Sequence, residues 1–327
     1  MMMLVAYYDI QNLFSMYGIN LNKYEHFGAA VKQLNKEIKK NFDAYAVTWI
    51  SCQASGEWNL HVKIDIVKML DKGEILEEDY DLVESDIRKF LIHHFGHSLY
   101  FDSHILKRID YKLDFYVPNS KDRELLFFLL EKYTAKYGYK EKIKWGKDEN
   151  NNPFKYETSQ YHKSKSVELV IYDKEEERIA KGEEIQPYDK GRVRYELRLK
   201  NSHLNSMKRK DKGKSRLKKL RSYFLYHLWK EYMERHILPI VHRGDYYKIT
   251  EAEKIIENSN FPKKKKNDLR VFLVQISKGS IDTPKKHMSP PTYRKYLQDL
   301  ASIGVNPFLI PKNRTDFPNC LKNPFKI

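Results

Sequence analysis

Three acids and one tyrosine fall on the polar sides of three alternating stretches of the sequence. Each stretch alternates apolar and polar residues with a period of two, which predicts half-buried strands. The four residues are Asp110 and Asp114 in 109–117, Tyr172 in 167–174 and Glu196 in 192–200. If the three strands share one sheet, their polar faces can coincide and a core can lie behind them.

The three carboxylates could bind a divalent metal ion, because carboxylate oxygens are the ligands that Mg²⁺ and Mn²⁺ prefer. Asp110 and Asp114 would lie about 13 Å apart on a regular strand, at ~3.3 Å per residue, which is too far to share one ion. Glu196 could lie beside either aspartate. The alternative is a surface ladder in which the carboxylates pair with cations such as Lys112 and Arg194.

Tyr172 could act as a nucleophile. A phenol has an ordinary pKa of about 10, so it needs a cation or a metal ion nearby to react at neutral pH. Lys174 follows on the same strand face, and Arg194 or Arg198 could lie on a neighbouring strand. Because the chain contains 24 tyrosines, a packing role is the alternative for any one of them.

The positive charge of the chain is confined to one part of it. Residues 201–327 contain 28 Lys and Arg and 11 Asp and Glu, whereas residues 1–200 contain 32 and 33. Within 207–221, nine residues are Lys or Arg and one, Asp211, is acidic. This distribution predicts a polyanionic partner, and nucleic acid fits better than a membrane because no strongly amphipathic basic helix stands out. A basic surface that only keeps the protein in solution is the alternative.

Other classes of protein and site are disfavoured. Two distant cysteines, Cys52 and Cys320, rule out a disulfide framework and a cysteine-based zinc site. No apolar run approaches the roughly 20 residues that cross a bilayer and no signal peptide is evident, so we expect a cytoplasmic protein. No glycine-rich phosphate loop is present, which disfavours an ATPase. His93, His94 and His97 lack a His-hydrophobe-His spacing, and we interpret them mainly as polar residues at a helix end.

The segments around these residues alternate between strand and helix patterns, which predicts an α+β fold with a largely antiparallel sheet and helices packed on one face. A basic, mainly helical C-terminal domain is predicted after it, compatible with a helix-turn-helix. Strands are expected at 1–10, 44–53, 57–67 and 108–117, helices at 27–41, 77–95, 121–137, 174–182, 215–237, 250–258, 263–278 and 290–302, and a loop at 146–163.

The motifs on these strands resemble those of phage and plasmid replication initiators of the gene II/X type, and of the related Rep_trans rolling-circle initiators. The resemblance covers residues 100–205. It lies in Ser-Lys-Ser-x-x-x-x-Ile-Tyr-Asp-Lys-Glu-x-Glu from residue 164, in Arg-x-Glu-Leu-Arg-Leu-Lys-Asn-x-His-Leu from residue 194, and in Arg-Ile-Asp-Tyr-x-x-Asp from residue 108.

The resemblance implies an enzyme that binds a double-stranded origin and nicks one strand. A tyrosine becomes joined to the 5′ phosphate, and the enzyme later rejoins the strands. Tyr172 would be the nucleophile, and Lys174 would stabilise the phenolate or the phosphate. Asp110 and Glu196, with Asp114 in a lesser part, would bind Mg²⁺ or Mn²⁺.

The charge distribution, the helix patterns and the resemblance together suggest how the chain is divided. Residues 1–205 would form the tyrosine nicking domain, 206–240 a basic arm with a long helix, and 241–327 a small helical DNA-binding domain. Contacts with DNA are predicted for Arg194, Arg198, Lys208, Arg209, Lys210, Lys212, Lys214, Arg216, Lys218 and Lys219.

Two other functions stay open, a relaxase of a mobile element with the same chemistry and a non-catalytic DNA-binding regulator. Tyr161 and Tyr195 are the alternative nucleophiles. The expected partners are double-stranded origin DNA, single-stranded DNA, a host helicase and a second copy of the chain in a homodimer, with no membrane.

Overall fold

The computed structural model shows an α+β fold with a large antiparallel sheet. No helix within the described residues is both long enough and apolar enough to cross a membrane. The described residues are 1–7, 10–52, 58–133, 141–143, 145–147, 152–155, 158–209 and 215–325.

The strands differ widely in length, and their bounds follow in chain order. They are β1 (Met2–Tyr7), β2 (Tyr45–Cys52), β3 (Trp58–Ile64), β4 (Ile105–Tyr116), β5 (Glu141–Ile143), β6 (Trp145–Lys147), β7 (Pro153–Lys155), β8 (Ser159–Lys163), β9 (Val167–Asp173), β10 (Arg192–Leu199), β11 (Tyr246–Tyr247) and β12 (Cys320–Leu321).

The helices lie between these strands and dominate the last hundred residues. They are α1 (Ile10–Met16), α2 (Phe27–Asn41), α3 (Ile66–Leu70), α4 (Tyr80–Phe95), α5 (Leu99–Ser103), α6 (Ser120–Tyr133), α7 (Lys174–Ala180), α8 (Asn201–Lys208), α9 (Tyr226–His236), α10 (Leu238–Val241), α11 (Ile249–Glu257), α12 (Lys263–Lys278) and α13 (Pro290–Ser302).

The hydrogen-bonded order of the main sheet within the described residues is β2-β3-β1-β4-β10-β9-β8-β5. The β2/β3, β1/β3, β1/β4, β8/β9 and β5/β8 ladders are antiparallel. Outside this sheet, β11 pairs with β12 and β6 pairs with β7. The three polar strands do share one sheet, the condition under which their polar faces could coincide, and β10 lies between β4 and β9.

The chain forms two compact units whose bounds differ from the predicted domains, which stay a prediction. The first unit contains Met1–Tyr111, Lys165–Val167 and Arg198–Trp229, and the second contains Lys112–Ser164, Glu168–Leu197 and Lys230–Ile327.

In the first unit, helices pack on the apolar side of the strands. Leu60, Val62 and Ile64 of β3 are buried at alternate positions, as a strand with one core face requires. Helix α4 contributes to this core through Phe90, whose ring stacks on that of Tyr45 with 4.2 Å between centroids.

In the second unit, the C-terminal segment covers the apolar face of the sheet. Phe325 lies 5.5 Å from Phe115 of β4 and 6.2 Å from Tyr195 of β10, measured between ring centroids. The hydroxyl of Tyr133 on α6 donates a 2.8 Å hydrogen bond to the Leu309 carbonyl. The residues after 240 are therefore part of the core of this unit.

Strand β9 corrects one expectation. All seven of its residues are buried, so it is not the half-buried strand that its alternation predicts. It lies between β10 and β8 in the sheet, and Glu168 and Tyr172 are covered as well as the apolar side chains opposite them.

The predicted helix over 215–237 is wrong in its first half, because helix α9 begins only at Tyr226. Tertiary hydrogen bonds replace helical ones in this segment. The Lys218 carbonyl accepts from the Leu106 amide at 2.8 Å, and the Leu220 amide donates to His104 Nε2 at 2.9 Å. The Tyr223 carbonyl accepts from the Tyr111 hydroxyl at 2.7 Å.

The predicted loop over 146–163 is wrong at 159–163, which form β8 of the main sheet between β9 and β5, and at 153–155, which form β7. Residues 148–151, 156 and 157 of the predicted loop lie outside the described residues. Other bounds are confirmed. Helices α2, α12 and α13 have the predicted limits, and Gly96 ends α4 in the left-handed conformation with φ 77°.

Candidate active site

The second unit brings Tyr172 to the end of a buried strand, where the chain turns into a helix. Asp173 is the residue that caps this helix, and its side chain accepts hydrogen bonds from the Glu175 and Glu176 amides. Acidic residues follow in the first turn, where they complement the helix dipole. The sequence Tyr-Asp-Lys thus folds as a strand end, a cap and a helix start.

The Tyr172 hydroxyl lies between a carboxylate and a guanidinium. It donates a 3.1 Å hydrogen bond to Oε2 of Glu196 and accepts one from Arg194. Only 9% of the Tyr172 residue is exposed. Burial and the Glu196 charge raise the pKa of the phenol well above its ordinary value, and Arg194 opposes them. The phenol is therefore protonated at neutral pH and its proton points at a base.

Arg194 is held by Asp114 of the neighbouring strand. Its Nε and Nη2 atoms donate to the two Asp114 oxygens at 2.6 and 2.7 Å, a bidentate arrangement that fixes the plane of the guanidinium. Burial lowers the pKa of Arg194, but the hydrogen bonds and charge of Asp114 outweigh burial, so the pKa is raised. A fixed positive charge consequently lies beside the phenol.

Asp189 is a member of this group that the sequence did not single out. The residue is fully buried, and its Oδ2 accepts a 2.9 Å hydrogen bond from Arg178. Its Oδ1 accepts no hydrogen bond from the described residues and lies 3.8 Å from Arg194 Nη2. Asp189 lies in the segment between α7 and β10, where no periodicity marks it. We call Tyr172, Glu196, Arg194, Asp114 and Asp189 the tyrosine site.

Three further ion pairs hold the strand-to-helix junction. Arg123 of α6 donates from Nε to Asp173 at 2.6 Å and from Nη2 to Glu175 at 3.1 Å. Lys174 is buried and donates to Glu177 at 2.5 Å. Its predicted role beside the phenolate stays a prediction, and its described partner is a carboxylate.

The carboxylates do not form a metal site in this arrangement. Both oxygens of Asp114 accept from Arg194, Asp110 accepts from Arg108 at 2.6 Å, and Glu196 accepts from Tyr172. Within the described ranges, no three His, Cys, Asp or Glu side chains converge on one point. The present donor set does not fit Mg²⁺ or Mn²⁺, and the expected metal stays a prediction.

The other predicted residues are distributed over the chain. Asp110 and Arg198 belong to the first unit, as do the described members of the predicted DNA contacts after residue 200, which are Lys208, Arg209, Arg216, Lys218 and Lys219. Of these, Lys208 and Arg209 are exposed, while Arg216, Lys218 and Lys219 are half-buried. Lys210, Lys212 and Lys214 lie outside the described residues. Their roles in DNA binding stay predictions.

Tyr195, an alternative nucleophile, and His94, which the sequence analysis placed among polar residues at a helix end, are both buried. Tyr195 is fully buried on the apolar face of β10, against Phe115. His94 is buried and bonded through Nδ1 to the Phe90 carbonyl at 2.7 Å and through Nε2 to the Tyr17 hydroxyl at 2.6 Å. Burial lowers the pKa of His94 to about 4, so its ring is neutral and part of an aromatic core.

No family model matches the chain, and no curated protein matches it. Among solved structures, a rolling-circle replication initiator protein from Geobacillus stearothermophilus matches with 10% sequence identity and a TM-score of 0.28. The match covers 71% of this chain and 94% of the other. A TM-score this low does not establish a common fold, so function has to be inferred from the residues themselves.

Proposed function

We propose that the chain is a DNA nicking and rejoining enzyme that starts rolling-circle replication, with Tyr172 as its nucleophile. One observation carries the proposal. The Tyr172 hydroxyl donates its hydrogen bond to Glu196 and lies beside the fixed Arg194 guanidinium. A nucleophile, a base within hydrogen-bond reach and a cation for the developing charge are the parts that tyrosine attack requires.

In the proposed reaction, Glu196 takes the phenolic proton as the Tyr172 oxygen attacks a backbone phosphorus. A bond forms between that oxygen and phosphorus, and the bond from phosphorus to the 3′ oxygen breaks. The 3′ oxygen leaves with a proton, which Glu196 can return, so one strand ends in a free hydroxyl. In the reverse direction, a 3′ hydroxyl attacks the phosphotyrosine bond and releases Tyr172.

Arg194 would stabilise the negative charge on the phenolate before the new bond forms. Because the residue is buried and bound to Asp114, this position suits a charge beside the phenol better than a contact on the DNA surface. No step of this proposed reaction uses Mg²⁺ or Mn²⁺; the metal stays an expectation from the sequence, which a comparison of Mn²⁺ with a chelator tests.

Tyr172→Phe is expected to abolish formation of a covalent protein–DNA adduct, because the attacking oxygen is removed. The substrate is supercoiled plasmid carrying the DNA that surrounds the gene for this chain, incubated with Mn²⁺ or with a chelator. Open circles and an adduct that survives SDS are measured. Tyr161→Phe is the matched control and should keep the adduct. An undiminished adduct from Tyr172→Phe would show that the nucleophile is another residue.

Glu196→Gln is expected to slow nicking by roughly 10²–10⁴-fold, the usual contribution of a general base. The amide keeps the shape of the side chain but cannot accept the proton. Single-turnover rates, with binding of the same DNA measured in parallel, separate the chemical step from affinity. An unchanged rate would remove Glu196 from the reaction.

One observation favours the second candidate, a non-catalytic DNA-binding regulator. Tyr172 is almost completely covered and Asp114 has both oxygens bound, so the tyrosine site can also be a structural network. Salt-sensitive DNA binding without any cleavage under the conditions above would support this candidate and contradict the first. Binding of double-stranded origin DNA and single-stranded DNA, a host helicase and a homodimer stay predictions.

A further inference from the structure

The pairing of β1 with β4 in the first unit is irregular, and the irregularity falls at a lysine. Met2 of β1 pairs with Arg108 of β4, but Met3 pairs with Leu106, so Lys107 is an extra residue in the ladder. A bulge of this kind redirects a side chain and is common at functional positions. Lys107 is half-buried.

The backbone and side chain of Lys218 are both fixed beside this bulge. Its carbonyl accepts the Leu106 amide at 2.8 Å. Its Nζ donates to the side-chain oxygens of Asn201 and Asn205 on α8, the second at 2.8 Å. The ammonium group is thus positioned by two neutral acceptors, and no carboxylate is among its hydrogen-bond partners in the described part of the chain.

Among the described residues, the charges that act on Lys218 are those of other lysines. Burial and then the charges of Lys107 and Lys208 lower the pKa of Lys218 to about 8. Burial and then the charge of Lys107 lower the pKa of His61 on β3. In the described part of the chain, no acid contributes to either shift. We call His61, Lys107, Lys208 and Lys218 the basic cluster.

Like charges held together without a counter-ion raise the free energy of the folded protein, unless an anion binds there. We propose that the basic cluster is a binding site for a backbone phosphate of a nucleic-acid strand. The site belongs to the first unit and uses two residues, His61 and Lys107, that the sequence did not point to. It rests on the proposed DNA binding but does not require Tyr172 chemistry.

The surroundings of the basic cluster favour a polymer over a small anion. Arg209 follows Lys208 directly and is exposed, and nine of the residues in 207–221 are Lys or Arg. A row of cations along the chain can follow successive phosphates. Leu217, next to Lys218, is 62% exposed and offers an apolar surface to a base. A membrane surface is the competing polyanion.

The test uses Tyr172→Phe protein, so that binding is measured without cleavage. Affinity for a labelled single-stranded oligonucleotide is determined over a range of salt concentrations, for this protein and with Lys107→Gln added. Loss of one phosphate contact should weaken binding and reduce the slope of log K against log salt by about 1. Lys68→Gln is the matched control, because Lys68 lies in the same unit and pairs with Asp43 at 3.0 Å.

Each outcome decides the proposal. A reduced slope for Lys107→Gln and an unchanged slope for Lys68→Gln support it. Equal slopes for both variants overturn it. If Lys107→Gln weakens binding to anionic lipid vesicles and leaves oligonucleotide binding unchanged, the proposal is overturned in favour of a membrane surface. Binding of inorganic phosphate that depends on Lys107, again with unchanged oligonucleotide binding, overturns it in favour of a free anion. A failure of nicking with the slopes as expected would affect only the role of Tyr172.

Discussion

The two units place their charged side chains in opposite ways. In the tyrosine site, Arg194 is bound by Asp114 and flanked by Asp189, and Arg178 is bound by Asp189. In the basic cluster, Lys218 is bound by neutral asparagines and lies near the positive charges of Lys107 and Lys208. Similar residue types therefore give one group whose charges are neutralised within the protein and one that needs an external anion.

This difference shows that the number of charged residues in a segment does not by itself locate a binding site. The sheet strands around the tyrosine site carry several cations, yet Arg194 is buried among carboxylates. Such a pair fixes geometry because its partners are pre-positioned, whereas surface cations without acids attract a polyanion. The first arrangement suits chemistry at one atom, and the second suits affinity.

The largest effect on stability is expected where a neutralised charge is removed. Arg194→Met should lower the free energy of unfolding by about 3–5 kcal/mol, because Asp114 and the buried Asp189 lose their shared cation. Urea unfolding measures the change. Arg192→Met is the matched control on the same strand. Arg192 lies over the Tyr116 ring, 5.1 Å from its centroid, and its loss should cost about 1 kcal/mol or less. Equal losses of unfolding free energy in the two variants would mean that removing Arg194 leaves no more unpaired buried charge than removing Arg192.

Only those residues of the tyrosine site that lie on regular strands could be predicted from the sequence. Period-two patterns place Asp114, Tyr172 and Glu196 on strands that are neighbours in the sheet, so parity alone brought these three together. Asp189 lies in an irregular segment, and its position depends on contacts with Arg178 and Arg194 that no local pattern encodes.

The basic cluster shows the same limit. Lys208 and Lys218 belong to a run of cations that is visible in the sequence. Lys107 is brought near them by the bulge in β4, and His61 by the pairing of β1 with β3 and β4. The helix predicted over 215–237 failed over 215–225 for a related reason. Its backbone groups are bound by residues about a hundred positions away in the sequence, and tertiary hydrogen bonds override local propensity.

A smaller effect tests whether Arg194 is shared between two carboxylates. Asp114→Asn leaves Asp189 available as a second acceptor, 3.8 Å from Nη2. Asp189→Asn leaves the bidentate pair with Asp114. The double variant removes both, so its loss of unfolding free energy should exceed the sum of the single losses by about 0.5–3 kcal/mol.

The control is a second double variant, which combines Asp189→Asn with Asp316→Asn. Asp316 is in the same unit, is exposed and is bound by Arg314 at 2.6 Å. These two changes share no partner and should be additive. Additive losses for Asp114 and Asp189 as well would show that Asp189 does not hold Arg194.

The smallest effect is expected in the basic cluster. Lys107→Gln removes a like charge and should raise the free energy of unfolding at neutral pH by about 0.2–1 kcal/mol. It should also flatten the pH dependence of stability. The pKa of Lys218 is lowered to about 8 in the folded protein from an ordinary value of 10.5. Between these values the folded protein loses the proton while the unfolded chain keeps it, so stability rises with pH.

Because Lys107→Gln moves the folded pKa of Lys218 back toward 10.5, the rise in stability above pH 8 should be smaller in the variant. Buried tyrosines also titrate in alkaline solution, so the measured quantity is the difference between variant and parent at each pH. Lys68→Gln, whose lysine pairs with Asp43, should show no such pH-dependent difference. A Lys107→Gln protein that is less stable than its parent at pH 7 would mean that an acid neutralises the basic cluster, and the contrast between the two units would then disappear.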